Sequence, residues 1–193
     1  MEYPPGATQL DPNELEGLRF PHIETRSELD QLEQQNIQDG LLWLKRQRKY
    51  KDLLTEEFIK TLHKRLFYAV WKWAGSFRMT EKNLGVDPLQ INVELRKLLD
   101  DTRYWIGHQT YPPLEFAARF HHRLVQIHLF PNGNGRHSRI MTDVLLEKYL
   151  KEPAINWRND ALIGSSEYRE IYINALRKAD AGDYNKLIEF LSR

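Results

Sequence analysis

The sequence has no cysteine. That excludes disulfides, thiol nucleophiles and Cys-ligated zinc, and it fits a reducing compartment. Charge of either sign barely prevails: 28 Lys and Arg against 27 Asp and Glu leave +1 at pH 7 with histidine neutral. A near-neutral total makes no electrostatic case for direct nucleic-acid binding or for an anionic membrane surface. No apolar run approaches the about 20 residues that a membrane span needs, and no basic-then-apolar leader opens the chain. We expect a soluble cytoplasmic protein without membrane association. Internal repeats and low-complexity tracts are also missing. H-E-x-x-H is absent, and no carboxylate falls at ligand spacing among His121, His122, His128 and His137. A zinc site is therefore not expected, and His121 and His122 read as structural.

What is present is enough apolar material for one domain with a core: 193 residues, 41% of them hydrophobic. Residues 1–24 are rich in Pro, Gly and charge and read as an arm. Asp11-Pro12-Asn13-Glu14 looks like a cap with proline at the first helical position, ended by Gly17. Ser27 to about Gln47 reads as a helix with a ragged apolar face, Ser27 and Asp30 resembling a capping arrangement. The basic run Lys45–Lys51 suits a solvated helix end. Thr55 caps a helix that buries Phe58, Ile59, Leu62 and Leu66 and runs to Gly75. Over 77–91 the helical period breaks; Asn83-Leu84-Gly85 and Asp87-Pro88 between β-compatible residues predict a β-hairpin. Asn92 caps a helix to about His108, and Pro113 opens a central one. A linker with Pro153 and Gly164 leads to a helix capped by Ser165-Ser166-Glu167. Asn185 to Leu191 forms a short last helix.

The chain is organised around residues 128–139, His-Leu-Phe-Pro-Asn-Gly-Asn-Gly-Arg-His-Ser-Arg. Pro131 to Gly135 predict a tight loop between two apolar-periodic helices. A helix starting near Gly135 offers unpaired N–H groups and the positive end of its dipole. Arg136 and Arg139, three apart, share a face there. Glycines admit phosphate oxygens close to the backbone, Asn134 can donate to a phosphate, and two guanidiniums can hold further negative charge. His128, across the loop, could take a proton from an incoming hydroxyl. The same residues also fit a plain helix–helix turn with solvated arginines.

The stretch resembles the signature of the Fic (filamentation induced by cAMP) family, H-x-F-x-(D/E)-G-N-(G/K)-R-x-x-R. His128, Phe130, Gly133, Asn134, Gly135, Arg136 and Arg139 match it; Asn132 stands where the family has an acid. The similarity runs from about Leu53 to the C-terminus, and residues 71–140 resemble most the bacterial branch called mobile mystery protein B. The resemblance implies an all-α, single-domain Fic-type bundle over 25–193 with the 77–91 hairpin as a flap on which a target protein docks. It implies transfer of AMP from ATP, with Mg²⁺, to a protein hydroxyl. His128 would be the base, Phe130 an apolar anchor, and Gly133, Asn134 and Gly135 the α-phosphate cradle. Arg136 would hold the β-phosphate and Arg139 the γ-phosphate. Gly135, in place of the lysine of Doc-type kinases, favours nucleotidyl transfer.

By the same resemblance, Tyr172-Ile173-Asn174-Ala175-Leu176 is similar to a Y-x-x-A-L pattern near the adenine pocket, making Tyr172 and Asn174 nucleotide-binding candidates. Glu16-Gly17 matches the end of an inhibitory motif, S/T-x-x-x-E-(G/N), whose glutamate would pair with Arg139; Pro12 stands at its Ser/Thr position. Asn132 is the magnesium candidate, through an amide oxygen that brings no charge. A helix-turn-helix regulator is an expected partner. Two alternatives stay open: a catalytically weak nucleotide- or partner-binding regulator of toxin–antitoxin type, and another Fic-type phosphate-group transferase.

Overall fold

The computed structural model describes residues 11–23, 25–47, 51–157 and 166–192. The first ten residues of the arm, residues 48–50 of the basic run, and Gly164 and Ser165 lie outside them. The chain forms helices α1 (Pro12–Leu15), α2 (Arg26–Arg46), α3 (Glu56–Phe67), α4 (Ile91–His108), α5 (Pro113–Ile127), α6 (Asn134–Leu145), α7 (Ser166–Asp180) and α8 (Asn185–Leu191). A 3-10 turn, Pro88–Gln90, precedes α4, and a π turn, Leu146–Leu150, continues α6. The only pairing of strand type among the described residues is one antiparallel bridge, Leu18 to Trp71.

Local chemistry accounts for most boundaries. Asp11 caps α1 in a capping box with Glu14, behind Pro12. Thr55 accepts the Phe58 N–H at 3.1 Å and starts α3. Ser27 does not cap α2: Thr25 does, in a reciprocal box with Glu28, so the helix starts one residue earlier. Helix α3 ends at Phe67 rather than running on to Gly75. There the chain turns aside to meet the arm, Arg19 N–H bonding Val70 O at 2.9 Å and Lys72 N–H bonding Gly17 O at 2.8 Å. Helix α4 starts at Ile91, out of the 3-10 turn, without an Asn92 cap.

The hairpin expected over 77–91 does not form. Among the described residues this segment holds bends and the 3-10 turn but no strand. Its main chain bonds to the end of α5 instead: Arg78 N–H to Leu129 O at 2.9 Å, Val86 N–H to Ile127 O at 3.4 Å. The physical reason is Arg78, whose side chain fills the turn and takes the Thr80 and Val86 carbonyls that a ladder would use. Residues 77–87 are better described as a strap.

In the core, α5 lies between α4 and α6 and is backed by α8, while α2 runs along α3. Phe116, Ala117, Phe120, Leu124 and Ile127 on α5 are all buried, as the period predicted. The bundle thus brings the C-terminus of α5, the N-terminus of α6 and the strap to one place.

Candidate active site

Helix α5 ends at His128, whose backbone adopts the left-handed conformation, φ 57° and ψ 64°. Glycine or asparagine usually occupies such a C-cap, and a side chain there costs roughly 1–2 kcal/mol. His128 is 5% exposed. Burial, then the charges of Arg78 and Lys82, push its imidazole down to about 3, so it stands neutral at pH 7.

From His128 the chain loops to α6 through a cradle braced from within. Phe130 is fully buried and stacks on the His63 ring at 3.7 Å. The Asn134 side chain accepts the Phe130 N–H at 2.9 Å and donates to Phe130 O at 2.7 Å. Asn134 therefore clamps the loop from within, and the backbone N–H groups at the start of α6 stand beside it as donors. Gly133 caps α6 with φ 78°, and a Cβ there would come within 2.6 Å of Phe67 Cζ. A Cβ on Gly135 would meet only Arg139 Nη2, at 3.7 Å, so that backbone is open.

His63 was not singled out by sequence and proves central. Gly75 N–H donates to its Nδ1 at 3.0 Å, which puts the proton on Nε2, where it bonds Asn132 O at 3.0 Å. Burial, and then the neighbouring His137, hold His63 well below its ordinary range. Only its position on the buried face of α3 was legible; its reach to the loop is a tertiary fact. His137, likewise buried, bonds Ile59 O through Nε2 at 3.1 Å.

The two signature arginines flank the cradle in different ways. Arg136 Nη1 bonds Glu33 Oε2 at 2.7 Å, and its guanidinium sits 4.9 Å over the Phe67 ring. Glu33, fully buried on α2, uses its other oxygen for Trp71 Nε1 at 2.6 Å. Sequence reasoning missed Glu33, which looked like one more polar residue on a ragged face. Arg139 Nε bonds Gly135 O at 3.1 Å, and its guanidinium lies 5.8 Å over the Tyr172 ring. Tyr172 is buried and its hydroxyl bonds His121 Nε2 at 2.8 Å, so it joins the site through Arg139. Asn174 is exposed on α7.

Two further expectations are corrected. Glu16 is exposed, and among the described residues its carboxylate forms no ion pair with Arg139. The arm engages the site through Glu14 instead: it is buried, accepts the Thr80 hydroxyl at 2.6 Å and pairs with Lys82 of the strap. About half a helical turn separates two outcomes, because residue 14 faces inward and residue 16 outward. Asn132 offers magnesium no charge and only an amide oxygen that is already engaged. Its Oδ1 accepts the Gly133 N–H at 2.7 Å, and its buried Nδ2, a donor, has no partner. Among the described residues no group of three or more His, Asp or Glu could hold a metal. The residues present do not fit a protein-held Mg²⁺.

An open hollow of about 480 Å³ lies near the other end of α5, lined by Glu115, Arg119, Gly182 and Tyr184. Arg119 is paired with Glu115 and sandwiched between Tyr111 and Tyr184 at 4.3 and 4.4 Å, so its charge is already committed.

Comparison with known proteins agrees with this fold. A model of the Fic/DOC family matches residues 53–146. The chain is 27% identical over 145 residues to protein adenylyltransferase Fic of Aedes aegypti, covering 73% of this chain and 28% of that protein. It is 28% identical over 144 residues to the protein of that name in Nematostella vectensis, covering 72% and 32%. The chain thus spans less than a third of either relative. Among solved structures, the N-terminal FIC domain of Bep8 from Bartonella sp. 1-1C superposes with a TM-score of 0.72 at 16% identity, covering 91% of this chain and 88% of that one. BepC of Bartonella tribocorum, solved with bound AMPPNP, gives 0.69 at 17%, covering 88% and 87%. These likenesses concern the fold.

Proposed function

We propose, from the Fic/DOC family model that matches residues 53–146, that the chain is a Fic-type protein adenylyltransferase, moving AMP from ATP to a hydroxyl of a target protein. The observation that carries this reading is the meeting of His128, at the left-handed end of α5, with the glycine-bounded N-terminus of α6 and its two arginines. The curated relatives bear the name of that activity, and one neighbour of like fold holds an ATP analogue.

In this reading the target approaches along the strap. The neutral His128 takes the proton of its hydroxyl as the oxygen attacks the α-phosphorus and pyrophosphate leaves in line. Polyphosphate charge beside the imidazole opposes Arg78 and Lys82 and raises its basicity from the low value of the nucleotide-free site. The first N–H groups of α6 hold the α-phosphate. Arg136 and Arg139 hold the charge of the departing pyrophosphate. Asn132 supplies no charge, so magnesium that serves the reaction arrives with the nucleotide. The reading places the protein in a cytoplasm, where ATP is at hand.

The test is label transfer from ATP carrying the label at the α or the γ position, with a cell lysate as acceptor. Transfer from α, lowered by about 10²–10⁴-fold in His128→Ala, is expected. Transfer from γ would make the protein a kinase. One observation favours a second reading, a nucleotide-binding regulator of weak turnover: Arg136 is already engaged by a buried carboxylate. AMPPNP binding with no transfer from either position would select it.

A further inference from the structure

Arg78 stands outside the signature stretch and is 1% exposed. It forms no ion pair among the described residues. Its side chain spends its donors on main-chain carbonyls: Nε on His128 O at 2.6 Å, Nη1 on Thr80 O at 2.9 Å, and Nη2 on Val86 O and on Ile127 O at 3.4 Å. Ile127 and His128 carry the last carbonyls of α5, which lack helical partners and form the negative end of its dipole. Thr80 and Val86 belong to the strap. One rigid, planar cation therefore ties the strap to the residue that bears the imidazole. Gly85 shows how close the fit is. Its φ is +106°, and a Cβ there would stand 2.6 Å from Arg78 Nη2 and 2.8 Å from His128 Cβ.

We propose that Arg78 is a positioning residue for His128: its guanidinium holds the left-handed backbone that aims the imidazole and registers the strap against it. The proposal rests on the reading of His128 as the base. A left-handed histidine is held only by what surrounds it, and Arg78 Nε bonds its own carbonyl at 2.6 Å. The fork also supplies positive charge beside the ring. Arg78 and Lys82 are the charged groups acting on His128, while Glu14, Asp87 and Glu81 act on Arg78. Loss of the guanidinium thus disturbs aim and protonation together; a lysine keeps the charge but not the fork.

The experiment compares the full chain with R78M and R78K, each first checked for folding by circular dichroism. Turnover of α-labelled ATP is followed against ATP concentration and pH. In R78M, kcat is expected to fall about 10²-fold, the effect of misplacing a catalytic group by about an ångström, with KM for ATP unchanged. Its acid limb should move to higher pH, because removing a cation lets the imidazole protonate more easily. R78K should lose about tenfold in kcat, consistent with a lost fork, and keep the parent's acid limb. A folded R78M with the parent's kcat and limb overturns the proposal. So does a rise in KM alone, which would make Arg78 a nucleotide ligand. Where R78M does not fold, R78K carries the test, and a kcat equal to the parent's overturns it. If the parent transfers no α-label, the proposed function fails separately. NMR titration of the His128 ring then tests Arg78 alone: a higher ring pKa and a changed ring shift in R78M, or a changed shift alone in R78K, support it, and spectra identical to the parent's overturn it.

Discussion

The cradle and the strap face each other across His128, and they are held by opposite means. The cradle, 130–139, is braced from within by neutral groups, an amide clamping its own loop, a glycine against a phenyl ring and two uncharged imidazoles bonded to carbonyls, with one ion pair, Arg136 to Glu33, at its outer side. The strap, 77–87, is pinned by charges: a buried guanidinium on four carbonyls and an ion pair between Glu14 and Lys82. Neutral braces stay made while pH keeps them neutral. Charged pins fail when one partner is removed. Each perturbation should therefore reveal one region more than the other.

Acid is expected to have the largest effect, and it acts through the cradle. Burial pushes His137 down to about 4 and His121 and His128 down to about 3, and holds His63 well below 6.5. An unfolded histidine takes up its proton near pH 6.5, whereas the native ones refuse it until much lower. Stability is thus fully present above about 6.5 and lost as pH falls toward 4. The slope reaches at most about 1.4 kcal/mol per pH unit for each histidine. Asp143 works the other way. Burial pushes its carboxyl up to about 6, so the native state keeps a proton that the unfolded chain gives up, and stability rises between 6 and 3.8 as pH falls. One such carboxyl does not offset four histidines. The unfolding free energy from urea titration should drop by several kcal/mol between pH 7.5 and 4.5; a flat profile would mean that the imidazoles are not buried neutral.

Glu14→Ala breaks the strap's outer pin. Both side chains of the ion pair are nearly out of water, at 9% and 5% exposure. Breaking such a pair costs about 3 kcal/mol, and the substitution also removes the acceptor of Thr80 and of the Asp11 N–H. Because the arm can come away without the bundle opening, the loss should be local. Hydrogen exchange at 77–87 should accelerate while the amides of α5 keep their protection. Equal acceleration in both would show that strap and bundle open as one unit.

Glu33→Ala addresses the link from α2 to the cradle. It leaves the buried Trp71 N–H without an acceptor and unties Arg136. Arg136 is 27% exposed and can turn toward water, so about 2 kcal/mol is expected, below the cost at Glu14. Glu33→Gln still accepts from Trp71 and should lose roughly half as much. Equal losses in the urea midpoint for the two variants would place the whole effect on the charge.

These two regions also differ in how much of them could be read from the sequence. Helices showed through their apolar period and caps, as at Thr55 and Pro113, and the cradle through a motif contained in twelve consecutive positions. Its roles were less legible. Asn134 turned inward because a buried Phe130 backbone needs both partners, and no spacing rule shows which of two needs an amide will meet. The strap was misread as a hairpin because turn residues flanked by β-compatible ones do describe hairpins. What overrode them was one arginine carried inside, visible only once α5 supplies the carbonyls. Glu33 and His63 were hidden for the same reason: their partners, Arg136 and Asn132, lie 103 and 69 residues away.

The smallest effect is expected at Glu16, two positions beyond the pin. By family resemblance Glu16→Gly should release Arg139 and raise activity. The structure argues otherwise. Glu16 is exposed, and its one long-range bond runs from Lys72 Nζ to its main-chain oxygen at 3.5 Å, which glycine keeps. The groups that set the charge around Arg139 are Tyr172, Arg136, Arg169 and Asp143, none of them in the arm. Stability should change by less than about 0.5 kcal/mol, as for other surface positions, and transfer of α-label should equal the parent's. A clear gain in transfer by Glu16→Gly, with none from Glu14→Ala, would mean that the arm rebinds with residue 16 inward. Contact would then pass from the strap to the cradle.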